Sequence, residues 1–200
     1  MPSDLNSIAV TGRIQGFKVY DDAKFPWAWV RLGIEQVPYV DTSGETKYIA
    51  AGTVFLNFNV PEKKLKSMAL MKKGLWLSTW EALFDDYKKD RKTTYKLRAG
   101  ISKFMVADQS MMPVNQAQIA GRISDQSKNG HWYSMGMSYM NAFAKDQKDK
   151  WKTRFCKIYS PYLDLKVGSR YLITGHVSGS APNGTEGLIV VAHTASRGRF

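Results

Sequence analysis

Ile8-Ala9-Val10-Thr11-Gly12-Arg13-Ile14 returns in the second half of the chain as Ala117-Gln118-Ile119-Ala120-Gly121-Arg122-Ile123. A second pair of stretches follows in the same order. Leu70-Met71-Lys72-Lys73-Gly74-Leu75-Trp76-Leu77 parallels Leu163-Asp164-Leu165-Lys166-Val167-Gly168-Ser169-Arg170-Tyr171-Leu172, with the glycine as anchor. Self-similarity at this scale marks a duplicated structural unit. The glycines are about 62 residues apart in the first unit and about 47 in the second, so the second copy has shorter connections. Between the units lies a polar stretch broken by Pro113, which reads as a connector. The boundaries expected are residues 5–107 and 114–195 for two domains, 108–113 for the linker and 196–200 for a basic tail.

Within each unit the apolar residues alternate with period two, the mark of half-buried strands. Ala28, Val30, Leu32 and Ile34 share one face of their segment, and Val54, Leu56, Phe58 and Val60 share one face of theirs. After Gly74, Leu75, Leu77 and Thr79 oppose Trp76, Ser78 and Trp80. Thr93 to Met105 reads as one strand through Tyr95, Leu97, Ala99 and Ile101. Residues 61–71 break the rhythm: Leu65, Met68 and Ala69 are at helical spacing, with Pro61 fit for a first turn and Gly74 for a stop. Each unit therefore reads as three strands, a short helix (vestigial in the second copy) and two strands. That order predicts an all-β protein with short helices, made of two tandem five-stranded Greek-key barrels of the OB type. A β-sandwich would need more strands than either half supplies.

Composition narrows the function. With 200 residues and 44% hydrophobic content the chain can build real cores, and a net charge of +12 draws it to polyanions. A single cysteine, Cys156, excludes an intrachain disulfide, and His131, His176 and His193 have no metal-ligand spacing. No phosphate-binding loop, zinc motif or nucleophile elbow is present, and Asp85-Asp86 lacks a third carboxylate for two-metal chemistry. No catalytic residue, metal or cofactor is expected. No apolar run approaches the ~18 residues of a membrane span, so a cytoplasmic setting without membrane contact is expected.

The second half resembles a bacterial or phage single-stranded DNA-binding protein. The resemblance rests on the ordered set of Ala117 to Ile123, the basic-aromatic strand Lys150 to Ser160, Leu163 to Val177 with its glycine, and a last strand near Gly187 to His193. It covers about 75 residues there and, more loosely, most of the first half. The chain departs from the chromosomal pattern of one domain and an acidic tip: it has two units and ends Arg197-Gly198-Arg199-Phe200. The resemblance therefore implies a phage or plasmid variant that does not recruit partners through an acidic tip. The implied role is to bind and protect single-stranded DNA, with little sequence preference, during replication or recombination. RNA binding, and a protein-interaction module such as a recombination mediator or inhibitor, stand as alternatives. Self-association, or contact with replication and recombination proteins, is left open.

Single-strand binders combine aromatic platforms with a basic groove. Trp27, Trp29 and Phe55 oppose the aliphatic face of their strands, with Arg31 beside the tryptophans. In the second unit Trp151, Phe155, Lys157 and Tyr159 share one face, and Trp132 is a third platform. By resemblance, Trp151 and the stretch from Phe155 to Tyr159 occupy base-stacking positions. Lys88, Lys89, Arg91 and Lys92, and then Lys148 and Lys150, form basic loops, and Arg122 is a phosphate contact or a strand end. Each aromatic has a second reading as core or inter-domain packing. Trp76 and Trp80 are read as packing residues, and Tyr133 and Tyr139, in phase with Met135 and Met137, as buried.

Overall fold

The computed structural model describes residues 4–21, 26–41, 43–59, 71–89, 92–100, 103–141, 144–146, 150–180 and 186–198. They contain strands and no helix; the helix expected over 61–71 lies, save Met71, outside the described residues. The first half holds β1 (Asn6–Tyr20), β2 (Trp27–Ile34), β3 (Val37–Val40), β4 (Thr46–Ile49), β5 (Gly52–Asn59), β6 (Trp76–Lys89), β7 (Lys92–Ala99) and β8 (Phe104–Ala107). The second holds β9 (Asn115–Gln126), β10 (Trp132–Met140), β11 (Trp151–Tyr159), β12 (Arg170–Ser180) and β13 (Glu186–Arg197).

Pairing closes each half on itself. In the first, β1, β2, β5, β7 and β6 form a circuit that returns to β1, with β5 and β7 parallel. In the second, β9, β10, β11, β13 and β12 do the same, with β11 and β13 parallel. These are five-stranded closed barrels of OB type, and closure removes the exposed edges an open sheet would carry. The alternating faces explain it. Ala28, Val30, Leu32 and Ile34 are buried, as are Val54, Leu56 and Phe58, and burying each larger side chain stabilises the fold by about 1.5–3 kcal/mol. Thr93 to Met105 is not one strand: β7 ends at Ala99, and β8 begins at Phe104 and pairs with the start of β6. Gly100 interrupts the run that the alternation suggested.

The repeated glycines have repeated jobs. A Cβ on Gly12 would sit 2.5 Å from the Gly33 carbonyl oxygen, and one on Gly121 would sit 2.4 Å from that of Gly136. Arg13 pairs with Gly33 and Arg122 with Gly136, so the two Gly-Arg-Ile segments fill the same place in each barrel. Gly74 and Gly168 both take positive φ, at 93° and 83°. Their amides donate to the Ile14 and Ile123 carbonyls, each at 2.8 Å.

The sequence led us to expect two separate barrels; the structure joins them in one ladder. β1 pairs antiparallel with β9, from Asn6 opposite Ile119 to Val10 opposite Asn115, so eleven strands form one hydrogen-bonded sheet. Period-two patterning shows which face of a strand is buried and is silent on how many neighbours its edges have. The register is two-fold in character, because Asn6 and Asn115 are repeat equivalents. Asn6 exchanges two hydrogen bonds of 2.8 Å with the Phe84 backbone, and Asn115 two of 2.9 Å with the Val177 backbone. Each asparagine thus extends its ladder by one rung with a side chain.

Three further contacts hold the barrels together. Asp85 forms ion pairs with Arg154 of the second barrel at 2.9 Å and with Arg98 of its own at 3.5 Å, while Asp86 accepts from the Phe155 amide at 3.2 Å. At the equivalent place on the other side β12 packs on β5, so close that a Cβ on Gly179 would meet the Thr53 carbonyl oxygen at 1.9 Å. The adjacent acidic pair noted in the sequence is therefore a structural clamp. The β3–β4 hairpin also crosses to the second barrel, where Tyr39 stacks on His193 at 3.9 Å and His193 shares a 2.7 Å hydrogen bond with His176. Its turn is tied by Asp41, which accepts from the amides of Ser43 and Glu45 and pairs with Lys47. That lysine, with Ser43 next, holds the Asp41 carboxyl well below the usual carboxylate range.

Candidate nucleic-acid interface

The outward faces of β1, β2 and β5 form one continuous surface on the first barrel. Cross-strand register sets Tyr20 opposite Trp27, Trp29 between Lys18 and Asn57, and Arg31 between Gly16 and Phe55. Residues out of phase with the aliphatic series cannot enter the core, so these side chains face outward. Tyr20 and Trp27 stack with ring centroids 4.2 Å apart and planes 8° from parallel. Trp29 meets Phe55 edge-on at 6.1 Å, and the Lys18 ammonium lies 4.7 Å over the Tyr20 ring. Phe55 is 49% exposed, and Arg31 and Lys18 are exposed. The face thus offers flat apolar rings interleaved with two cations, the pairing suited to bases joined by phosphates.

Lys18 and Tyr20 were missed in the sequence. Their period-two phase was readable, but only the β1–β2 register shows that they lie beside the tryptophans. Trp27, Trp29, Arg31 and Phe55, all expected at the interface, are brought together here.

The second barrel is different. Trp132 faces Tyr159 with ring centroids 4.9 Å apart, and Lys157 lies opposite Ser134 on the next row. With Tyr95 of the first barrel, Trp132, Ser134 and Lys157 line a groove of about 320 Å³ between the barrels. Burial, and then the nearby Asp86 carboxylate, raises the Tyr95 phenol, which favours its protonated, hydrogen-bond-donating form. Phe155 lies half-buried on the row after Lys157, its ring against Gly136 and its amide on Asp86, at the seam between barrels. Arg122 is exposed on β9 beside that row.

Trp151 does not join this group. It pairs with Met140 at the far end of the β10–β11 ladder, eight residues along from Trp132, which is about 26 Å at 3.3 Å per strand residue. Lys150 is exposed beside it. Laying Gly33 on Gly136 puts Trp29 on Trp132, so Trp132 is the repeat equivalent of Trp29. Lys88 and Lys89 end β6 and Lys92 begins β7, with Lys89 opposite Lys92, so they belong to the strands and not to the loop expected for them; Arg91 and Lys148 lie outside the described residues.

The tryptophans read as packing residues divide. Trp76 is 1% exposed beneath the Arg13 guanidinium, which lies 4.8 Å from its ring, but Trp80 is 42% exposed. Tyr133 is buried; Tyr139 is half-buried with the Arg154 guanidinium 3.8 Å over its ring. Among the described residues no group of three His, Cys, Asp or Glu could hold a metal ion, and no helix is long and apolar enough to cross a membrane.

No family model matches the sequence, and no curated protein matches it. Solved structures do. A deletion mutant of the single-stranded DNA-binding protein from Thermus aquaticus aligns at a TM-score of 0.68 and 14% identity, over 100% of this chain and 97% of that one. The wild-type Thermus protein aligns at 0.65 and 14% identity, over 99% and 95%. Over its whole length, then, the chain has the fold of a bacterial single-stranded DNA-binding protein.

Proposed function

We propose that this protein binds single-stranded DNA without strong sequence preference and takes no part in catalysis. Residues 5–107 and 114–195 would act as two binding domains joined by 108–113. The observation that carries the proposal is the outward row of Tyr20, Trp27, Trp29 and Phe55 on a closed barrel, interleaved with Lys18 and Arg31. Rings left outside the core cost hydration unless something flat covers them, and unpaired bases are flat on both faces. Each stacked base contributes roughly 1–3 kcal/mol whatever its identity, which gives affinity without sequence reading. Lys18, Arg31, Arg122, Lys150 and Lys157 would neutralise phosphates, within an overall charge of +12. The name of the Thermus protein, whose fold this chain shares, supports DNA as the partner. Protection of single strands during replication or recombination follows from such binding. The test is tryptophan fluorescence titrated with oligo-dT, with the RNA oligomer and with duplex of equal length. Quenching is expected at low-micromolar oligo-dT or below, weakening steeply between about 50 and 200 mM salt. Equal affinity for duplex and single strand would replace the proposal with general polyanion binding, and preference for the RNA oligomer would replace DNA as the partner.

A further inference from the structure

We infer that the two barrels divide the work on a single strand: the first holds bases by stacking, and the second holds mainly phosphates. This rests on the single-strand reading above and assigns unequal roles within it. The two faces can be compared position by position, because the repeat fixes the equivalences through Gly33 and Gly136. Trp29, opposite Asn57, corresponds to Trp132, opposite Tyr159. Phe55, however, corresponds to Lys157, an aromatic exchanged for a cation. Arg31 corresponds to Ser134, which has Asp125 as its neighbour on β9.

The largest difference is in the hairpins. Barrel one's β1–β2 hairpin runs on to the stacked pair Tyr20 and Trp27. Barrel two closes its hairpin with a turn at residues 127–131: the Ser127 amide donates to the Trp132 carbonyl at 2.8 Å, and Gly130, the counterpart of Trp27, takes φ 73° within the turn. The second barrel therefore ends one aromatic storey short. Four rings face outward together on barrel one; on barrel two Trp132 and Tyr159 stand together, with Phe155 drawn into the seam against Asp86. Stacking is little affected by salt, whereas phosphate contacts release counterions and weaken as salt rises. The division thus gives the protein a salt-resistant base anchor and a salt-sensitive extension along the same strand.

The experiment uses the full chain and fluorescein-labelled dT8, short enough for one OB barrel to fill. Affinity is measured by anisotropy at 50 and 200 mM salt, with thermal midpoints recorded for every variant. Trp29→Ala with Phe55→Ala should weaken binding on the order of a hundredfold, and the residual binding should be more salt-sensitive than that of the parent. Trp132→Ala with Tyr159→Ala should weaken it less than about tenfold. Lys157→Phe, which restores barrel one's pattern to barrel two, should recover several-fold affinity in the Trp29→Ala, Phe55→Ala background and flatten its salt dependence. Equal losses from the two double variants, a larger loss from the barrel-two variant, or no recovery from Lys157→Phe would each overturn the division while leaving single-strand binding intact. Absence of dT8 binding by the parent chain would overturn the functional reading itself, a distinct result.

Discussion

Replacing Asn115 with alanine removes both hydrogen bonds that carry the β9 ladder onto the end of β12. The side-chain amide donates to the Val177 carbonyl and the side-chain oxygen accepts from the Val177 amide, each at 2.9 Å, and Asn115 is only 6% exposed. Alanine would leave a buried N–H and a buried C=O without partners. At about 1–3 kcal/mol for each unsatisfied group, the loss is about 2–6 kcal/mol. In a chain of 200 residues, a thermal midpoint moves by roughly 2–4 °C per kcal/mol, so a fall of roughly 4–24 °C is expected. The equivalent Asn6→Ala touches Phe84 through bonds that are only partly buried, and water can replace them, so its cost should be about half. Thermal and urea denaturation of both variants make the comparison. A change within about 0.5 kcal/mol for Asn115→Ala would refute the claim that its side chain supplies a rung of the β9–β12 ladder.

Other expectations follow from the same coordinates. Trp29→Ala should weaken oligo-dT binding about ten- to a hundredfold while lowering the midpoint by only a few degrees, since its resolved ring partner is the edge of Phe55; unchanged affinity with a large fall in midpoint would make Trp29 a packing residue. Trp151→Ala, about 26 Å from the Trp132–Tyr159 pair, should reduce dT8 affinity less than Trp132→Ala does, measured by the same titration. Gly179→Ala puts a methyl 1.9 Å from the Thr53 carbonyl oxygen and should cost about 1–3 kcal/mol in urea denaturation; a neutral result would show the seam is looser than described.

The histidine pair predicts a pH dependence. Burial, and then His193, lower the His176 pKa to about 4, against 6.5 when unfolded. The native state thus resists protonation: its stability is complete above about pH 6.5 and falls as the pH drops toward 4. Each pH unit in that window costs about 1.4 kcal/mol, and burial lowers His193 in the same direction. His176→Gln should lose less midpoint than the parent between pH 7 and pH 5, and parallel losses would assign the acid sensitivity elsewhere.

Alternation made much of this architecture legible. Val30, Leu32, Leu56 and Phe58 lie inside and Trp27, Trp29 and Phe55 outside, as period two requires. The Gly-Arg-Ile repeat was readable too, because a backbone carbonyl crosses each glycine so closely that no side chain fits. Strand pairing was not legible. Nothing in Asn6 to Val10 distinguishes an edge facing solvent from one paired with Asn115 to Ile119, because hydrogen-bonding edges carry no hydropathy signal. Position along the barrel was hidden for the same reason. Trp151 has the right phase to face outward, but phase does not say how far along the barrel a residue lies, and register placed it at the opposite end from Trp132. Lys18 and Tyr20 joined the site through register alone.

If the outward aromatic face receives unstacked bases, single-stranded and duplex DNA must act on it differently. The measurement that tests it most directly is a side-by-side titration of the protein's tryptophan emission with oligo-dT and with duplex DNA of the same length at about 200 mM salt. At that ionic strength phosphate attraction is much reduced and stacking remains. Saturable quenching by oligo-dT, lost in Trp29→Ala with Phe55→Ala, and little response to duplex are expected. Equal quenching by both, or oligo-dT binding untouched by the double substitution, would contradict base stacking on that face.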